Sequence, residues 1–471
     1  MKLLPPRETF AWLKALWEHR RNMRISREKL EAKQQKKFRK LVISAYERSD
    51  YYRELMDEYD IDPGTCTPTD FPVLTKEDVI EHFDRIVTNP CITRARIEDF
   101  LARSSDPTEL FENEYHVLHT SGTSGTVGYY VFSHFEWIKG SSHIVRASPL
   151  RFGRRIAYVA ATRGHFAGAS LALTGNHGTN SLFYKVRTLD VSMPMSRIIA
   201  ELNEYQPHTL SGYAAVLRVL AEAQELGQLQ ISPLQISTGG EMLTAENKEY
   251  IEGVFGVPIV NAYASSEHLF MGLTLPGCDG MYLLEDDLIF ELQEDHICVT
   301  NLFNHTMPLI RYRMNDLLVP DRNGSLIPFT RVKEVVGRYD NALMFTNEHG
   351  EDDFIHPIII VEFYVRGLNS MQIVLLDKTS FVFRARLEPR LIGEERFRTL
   401  AQIRNKMQGI LSEKGMCNVT FEVEEVDSLA IDKQTGKFRL VVRAESEDLS
   451  PIQNPLTEMV DLTKLPILCK S

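Results

Sequence analysis

An α/β fold is predicted, with a large N-terminal domain of mixed or parallel sheets and helices followed by a small α+β C-terminal domain. Three observations predict it. Short apolar runs alternate with longer helical stretches between about residues 115 and 262, the texture shifts to shorter strand-like runs after Asp316, and a charged helical lead-in precedes both. Size and composition agree: 471 residues is about three common domains, and 43% hydrophobic with 25% charged residues excludes a mainly disordered, collagenous or fibrous chain.

Residues 8–48 contain no Gly or Pro, and Leu30, Phe38, Leu41, Val42 and Ala45 recur at helical spacings, which predicts helix throughout. Ten Lys or Arg face three Glu between Glu18 and Lys40. A solvated helix face is preferred over an anionic partner, because the rest of the chain offsets this charge. The runs Tyr115 to Leu118, Ile156 to Ala160, Leu234 to Ile236 and Pro258 to Val260 read as strands, and Tyr213 to Leu226 as helix, the pattern of βαβ units around a largely parallel sheet. Later, Gln372 to Leu376, Phe381 to Ala385 and Val419 to Val426 read as strands and Glu394 to Leu411 as helix. The expected domains are 1–339, with 1–75 as the helical lead-in, then 340–445, then an extended tail at 446–471 carrying Pro451, Pro455 and Pro466.

Charge narrows the function classes. With 53 Lys plus Arg against 64 Asp plus Glu, net −11, no global positive field exists to attract nucleic acid or anionic lipid. Six cysteines with no CxxC pair are too sparse for a disulfide framework, and no stretch of about 18 apolar residues runs without charge. A cytoplasmic protein with no membrane span and no nucleic-acid partner is expected.

Ligands of open α/β sheets sit beyond the carboxyl ends of strands, so the loops there matter most. In HTSGTSGTVGYY, His119 to Tyr130, Gly122, Gly125 and Gly128 let backbone amides approach an anion, and Thr120, Ser121, Thr123 and Ser124 add hydroxyls. That is a phosphate cradle or a flexible loop of small residues, and it is neither a Walker loop nor a dinucleotide fingerprint. STGGEML, Ser237 to Leu243, places Gly239 and Gly240 after a strand, where a flat ligand or a plain turn into a helix capped by Thr244 would fit. NAYASSEH, Asn261 to His268, offers an aromatic, two hydroxyls and Glu267, a metal-binding carboxylate or a surface one. Asp316 in MPLIRYRMND and Arg338 in VGRYDN suit ribose hydroxyls. Lys437 in DKQTGKFR, taken alone, is a solvated hairpin lysine.

Taken in order, these segments resemble the adenylate-forming superfamily of acyl-CoA synthetases, adenylation domains and luciferases. MPLIRYR and the N-terminal YERSDYYRELM…DFPVLTKEDV resemble its phenylacetate-CoA ligase and CapK-like branch. The resemblance implies that Thr120, Ser121, Gly122, Thr123, Ser124 and Gly125 hold the pyrophosphate of ATP. Gly239, Gly240, Glu241 and Tyr263 would flank adenine, Ser266 and Glu267 serve phosphate and Mg²⁺, and Asp316 and Arg338 bind ribose. Asp340 would be the hinge of a mobile C-terminal domain that delivers Lys437, a catalytic residue with Glu267, to the reacting carboxylate and α-phosphate. His165 and Phe166 in RGHFAG would wall the acyl pocket, with His143, Arg163 and His177 nearby.

The implied activity is ATP-dependent adenylation of a carboxylic acid, then transfer to coenzyme A, with ATP, Mg²⁺ and coenzyme A as cofactors and a homodimer as a further expectation. Transfer to an amine, activation of a non-carboxylate, and a non-catalytic nucleotide-binding relative are the rivals. Pyrophosphate exchange without thioester would favour the first two, and no exchange with no ATP binding the third. Gly128 stands where many members have Lys, Ala264 stands in the Gly position of Tyr-Gly-x-Thr-Glu, and His268, Cys278, His296 and Cys298 are too irregularly spaced for a zinc knuckle.

Overall fold

The computed structural model describes residues 6–444 except 121–126, 149, 163, 242, 244, 279, 294–295, 322–324, 326, 337–342, 356–358, 361–362, 389, 428 and 430–439. The long N-terminal run is two helices rather than one: α1 (Pro6–Asn22) and α2 (Arg27–Arg48). Ser26 makes the break. Its side chain accepts from the Lys29 amide, and such a cap competes with continuing the helix even where no Gly or Pro marks a stop. Leu30, Gln34, Phe38, Leu41, Val42 and Ala45 form the buried stripe of α2. Four shorter helices follow, α3 (Asp50–Glu58), α4 (Lys76–Glu81), α5 (Phe83–Ile86) and α6 (Arg94–Arg103).

Strands β1 (Tyr115–His119) and β2 (Tyr129–Ser133) pair antiparallel, so the Gly-rich segment lies between the arms of a hairpin and does not lead from a strand into a helix. Ser133 and Glu136 form a capping box that starts α7 (His134–Ser141). Then come β3 (Arg154–Ala160), α8 (Ala167–Leu173), β4 (Tyr184–Asp190), α9 (Met195–Tyr205), β5 (Thr209–Gly212), α10 (Ala214–Glu225), β6 (Gln235–Gly239), α11 (Ala245–Phe255) and β7 (Ile259–Ser265). After them run β8 (Leu269–Thr274), β9 (Met281–Leu283), β10 (Leu288–Leu292), β11 (Ile297–Asn301), β12 (Tyr312–Met314), β13 (Leu317–Pro320) and β14 (Arg331–Val336).

The main sheet has nine strands in the order β13-β14-β9-β8-β7-β6-β5-β3-β4. Its half from β4 to β7 is parallel and its half from β7 to β13 antiparallel. The parallel part is the βαβ region read from the sequence. The change of texture after Asp316 does not end this sheet, because β13 and β14 still belong to it. Beyond them lie β15 (Leu343–Thr346) and β16 (Asp352–Ile355), then β17 (Leu368–Leu375), β18 (Ser380–Leu387), α12 (Gly393–Glu413), β19 (Thr420–Glu425) and β20 (Val441–Arg443), with a four-stranded sheet β19-β18-β17-β20. One apolar cluster runs from Ile236 and Leu217 to Phe345, Phe383 and Met407, and a second joins α2 to the β1–β2 hairpin and β11.

A buried ionic knot fixes the lead-in helices to the main sheet. The turn between β9 and β10 carries Asp286 and Asp287, both fully buried. Arg146 binds Asp286 through two nitrogens at 2.5 and 3.2 Å, and Asn22 of α1 donates to it at 2.8 Å. Lys37 of α2, Lys139 of α7 and His143 meet Asp287 at 2.6, 3.2 and 2.9 Å. Burial opposes ionisation of both acids, but Arg146 beside Asp286 and Lys139 with Lys37 beside Asp287 outweigh it and hold both well below the usual carboxylate range. Their stabilisation is therefore present above the unfolded carboxyl value, about pH 4, and is lost as pH falls through the lowered native values. Asp286→Asn should cost about 3–5 kcal/mol in urea unfolding, because Arg146 is left buried without its counterion. A loss below about 1 kcal/mol would show that the pair behaves as a solvated one.

Candidate functional site

The parallel strands finish along one edge. Val159 faces Gly212, Gly212 faces Thr238 and Gly239 faces Ala262, so the loops after β3, β5, β6 and β7 gather there. Strand order reverses at β3, which has β4 on one side and β5 on the other, and such a reversal opens a crevice beyond the carboxyl ends. Two glycines are needed for this closeness. A Cβ on Gly212 would stand 2.6 Å from the Val159 carbonyl oxygen, and Gly240 has φ +83° with Tyr213 3.2 Å from where its Cβ would be.

Thr120 and Gly128 lock the ends of the Gly-rich segment together, amide to carbonyl at 2.9 Å and, in return, amide to Thr120 Oγ1 at 2.9 Å. Both ends are thus held beside the crevice. Ser121, Gly122, Thr123, Ser124 and Gly125 lie outside the described residues, as do Arg163, Thr244, Arg338, Asp340, Lys437 and the tail.

Thr120, Phe166, Gly239, Gly240 and Ser266 line one cavity of about 370 Å³ that opens at this edge. The volume is in the range of ligand sites. Tyr263, on the last strand of the parallel half, donates to Asp316 Oδ2 at 2.8 Å, which fixes the carboxylate that was expected at the ribose. Glu267 sits beside a chain of phenols: Tyr312 reaches it at 3.5 Å and Tyr130 meets Tyr312 at 2.9 Å. Burial raises the Glu267 carboxyl above its ordinary value and Asp316 adds to the shift, while Lys76 and Ser265 oppose it. A divalent cation would relieve that carboxylate. One carboxylate beside serine hydroxyls, completed by phosphate oxygens, is a donor set that suits Mg²⁺.

Two of the expected residues have partners within the protein. Glu241 accepts from the Ala215 amide at 3.1 Å, so one of its carboxylate oxygens serves the first turn of α10. His165 is 1% exposed and turns from the cavity to Ser104, at 3.1 Å, which in turn bonds Glu109. Its neighbour Phe166 lines the wall, with the His119 ring tilted against it at 4.4 Å between ring centres.

The zinc reading finds no geometry. Among the described residues the one group of three or more His, Cys, Asp or Glu with donor atoms within 4.8 Å of one another is His19, His143 and Asp287, so His268, Cys278, His296 and Cys298 assemble no ligand set. Lys37 and Lys139 already meet Asp287, the one carboxylate of that group, and Arg146 meets the adjacent Asp286, which leaves no net negative charge there for a cation.

The sequence reading missed the cavity's floor. Ile156 and Tyr158 on β3, Tyr184 and Val186 on β4, Thr209 and Ser211 on β5, and Gln235 and Ser237 on β6 all line it. Each pair is two residues apart on a strand, so period two was the available signal. What the sequence did not show was which face of the sheet was left uncovered. Among the described residues, no helix is long and apolar enough to cross a membrane.

No family model matches the chain. CapK of Staphylococcus aureus is 29% identical over a stretch covering 32% of this chain and 36% of CapK. A phenylacetate-coenzyme A ligase of Thermus thermophilus is 26% identical, covering 68% of this chain and 73% of that ligase. A ligase of the same name from Aromatoleum evansii is 24% identical, with the same shares covered. Among solved structures, 2-hydroxyisobutyryl-CoA ligase, in complex with 2-HIB-AMP and CoA, superposes with a TM-score of 0.59 at 20% identity, covering 90% of this chain and 91% of that one. At that identity the likeness is one of fold.

Proposed function

We infer that this chain, which belongs to the adenylate-forming superfamily on its phenylacetate-coenzyme A ligase-like branch, is an ATP-dependent ligase that converts a carboxylic acid to its acyl-adenylate and passes the acyl group to coenzyme A. One observation carries the reading. Thr120 at the start of the Gly-rich segment, Gly239–Gly240 and Ser265–Ser266 line a single mostly apolar cavity, so an acid lying in the cavity has its carboxylate beside the phosphate-side loops. In the first step a carboxylate oxygen bonds the α-phosphorus, the α–β phosphate bond breaks and pyrophosphate leaves. In the second the thiol sulfur bonds the acyl carbon, AMP leaves and the thiol proton goes to solvent.

The first step sets negative charge against negative charge, so fixed positive groups are needed there. Mg²⁺ would neutralise phosphate oxygens when bound. Glu267 would hold it, Thr120 and Ser266 would donate to phosphate, and Asp316, positioned by Tyr263, would accept from the ribose hydroxyls. Lys437 would add an ammonium in the first step only, carried by a C-terminal domain that turns about Asp340. Ser192 Oγ donating to Glu413 at 2.9 Å, and His119 with its ring 6.4 Å from that of Tyr364, are contacts such a turn would break. A cytoplasmic location fits the use of ATP and coenzyme A.

Acid-dependent exchange of labelled pyrophosphate into ATP, followed by mass spectrometry with coenzyme A, tests the reading. Thioester is the expected product. Exchange without thioester would transfer the acyl group elsewhere, and no exchange with no ATP binding would overturn the enzyme.

A further inference from the structure

Resting on that reading, the cavity also narrows the acid. Its floor is one face of the parallel sheet, running from Gly239 at the mouth back to Gln235 near the amino ends of the strands. Four residues of strand span about 13 Å, roughly ten bonds of an extended chain. Ile144, Ile156, Leu171, Val186 and Phe270 make the walls mostly apolar. Gly168 lets α8 lie close over the trough, since a Cβ there would stand 2.3 Å from the Tyr158 hydroxyl.

The inner end is different. Tyr184 opens β4 opposite Arg154, at the end of the strands remote from the nucleotide loops. Its ring is 7% exposed and lines the cavity, and its hydroxyl has no hydrogen-bond partner among the described residues. The polar groups around it are engaged. Arg154 donates to Thr209 at 2.8 Å and to Gln235 at 2.6 Å, Ser148 donates to Gln235 at 3.2 Å, and Gln235 donates to the Ala147 carbonyl at 3.1 Å. Burial pushes the Tyr184 phenol up to about 12, so it stays neutral and can donate. A buried hydroxyl left unmet is costly, and a ligand atom that meets it is selected for.

We propose that the substrate is a carboxylic acid with an apolar body about ten bonds long and a neutral hydrogen-bonding oxygen, a hydroxyl or a ketone, at its far end, which the Tyr184 hydroxyl reads. A second carboxylate at that end is disfavoured, because the Arg154 guanidinium there already donates to Thr209 and Gln235 and the Tyr184 hydroxyl alone does not offset burial of a charge.

The test is pyrophosphate exchange with acetic, phenylacetic, decanoic, 10-hydroxydecanoic and decanedioic acids, on the wild type and on Tyr184→Phe, with MgATP binding by calorimetry and the circular dichroism melt of each protein recorded. The hydroxy acid should exceed decanoic acid about tenfold in kcat/KM, and Tyr184→Phe should bring that ratio close to one, mainly by improving decanoic acid. Equal rates for the two ten-carbon acids, the same ratio in Tyr184→Phe, or a preference for acetic, phenylacetic or decanedioic acid would each overturn the substrate class while leaving the ligase standing. Loss of exchange with every acid together with loss of MgATP binding would instead remove the enzyme reading, and with it this one.

Discussion

Lys437→Ala should lower acyl-adenylate formation about 10²–10³-fold and leave thioester formation from a supplied acyl-adenylate within a few-fold of the wild type. The split follows from where charge develops. In the first step a carboxylate and a phosphate approach each other, and a single ammonium positioned between them is worth most in the transition state. In the second step the nucleophile is a thiol and the leaving group is AMP, so the same ammonium has no close pair of anions to separate. Pyrophosphate exchange reads the first step, and coenzyme A added to a synthetic acyl-adenylate reads the second. Equal losses in both would mean that Lys437 acts on binding or folding, and a full rate in both would remove it from the site.

The parts of this architecture that were legible in the sequence are those governed by local pattern. Strands β3, β6, β17, β18 and β19 and helices α10 and α12 follow the apolar runs read from the chain, because period two and period 3.6 are properties of neighbouring residues. Features that depend on distant residues were not legible. The break between α1 and α2 is set by one serine cap in a run that is otherwise uniformly helical. The pairing of β1 with β2 depends on a return of the chain ten residues later, and nothing in EYHVL marks it as a hairpin arm. Glu241 and His165 were read from their segments as ligand-facing, and the partners they have within the protein, the α10 amide and Ser104, are set by distant parts of the chain. The knot around Asp286 and Asp287 joins α1, α2, α7 and a turn whose Asp286 lies 264 residues beyond Asn22 of α1, a separation that no local pattern records.

Glu267→Gln should separate function from stability in opposite directions. Mg²⁺-dependent exchange should fall about 10²–10³-fold, since the variant keeps the shape and loses the charge that holds the cation. The ligand-free variant, by contrast, should melt higher than the wild type at pH 8. Burial, with Asp316 adding to it, raises the native carboxyl of Glu267 above its unfolded value, so the ionised form is penalised in the folded state. That penalty is full above the raised native value, fades as pH falls through it, and is gone below the unfolded value of about 4. The advantage of the glutamine should therefore be largest at pH 8 and vanish near pH 4. Saturating MgATP should raise the melting temperature of the wild type more than that of the variant, because binding to the native state alone stabilises it by mass action and the variant binds the metal complex weakly. Thermal melts at the two pH values, with and without MgATP, decide it. A variant less stable than the wild type at pH 8 would show Glu267 already neutralised by its neighbours, and equal shifts with MgATP would place the metal on other residues.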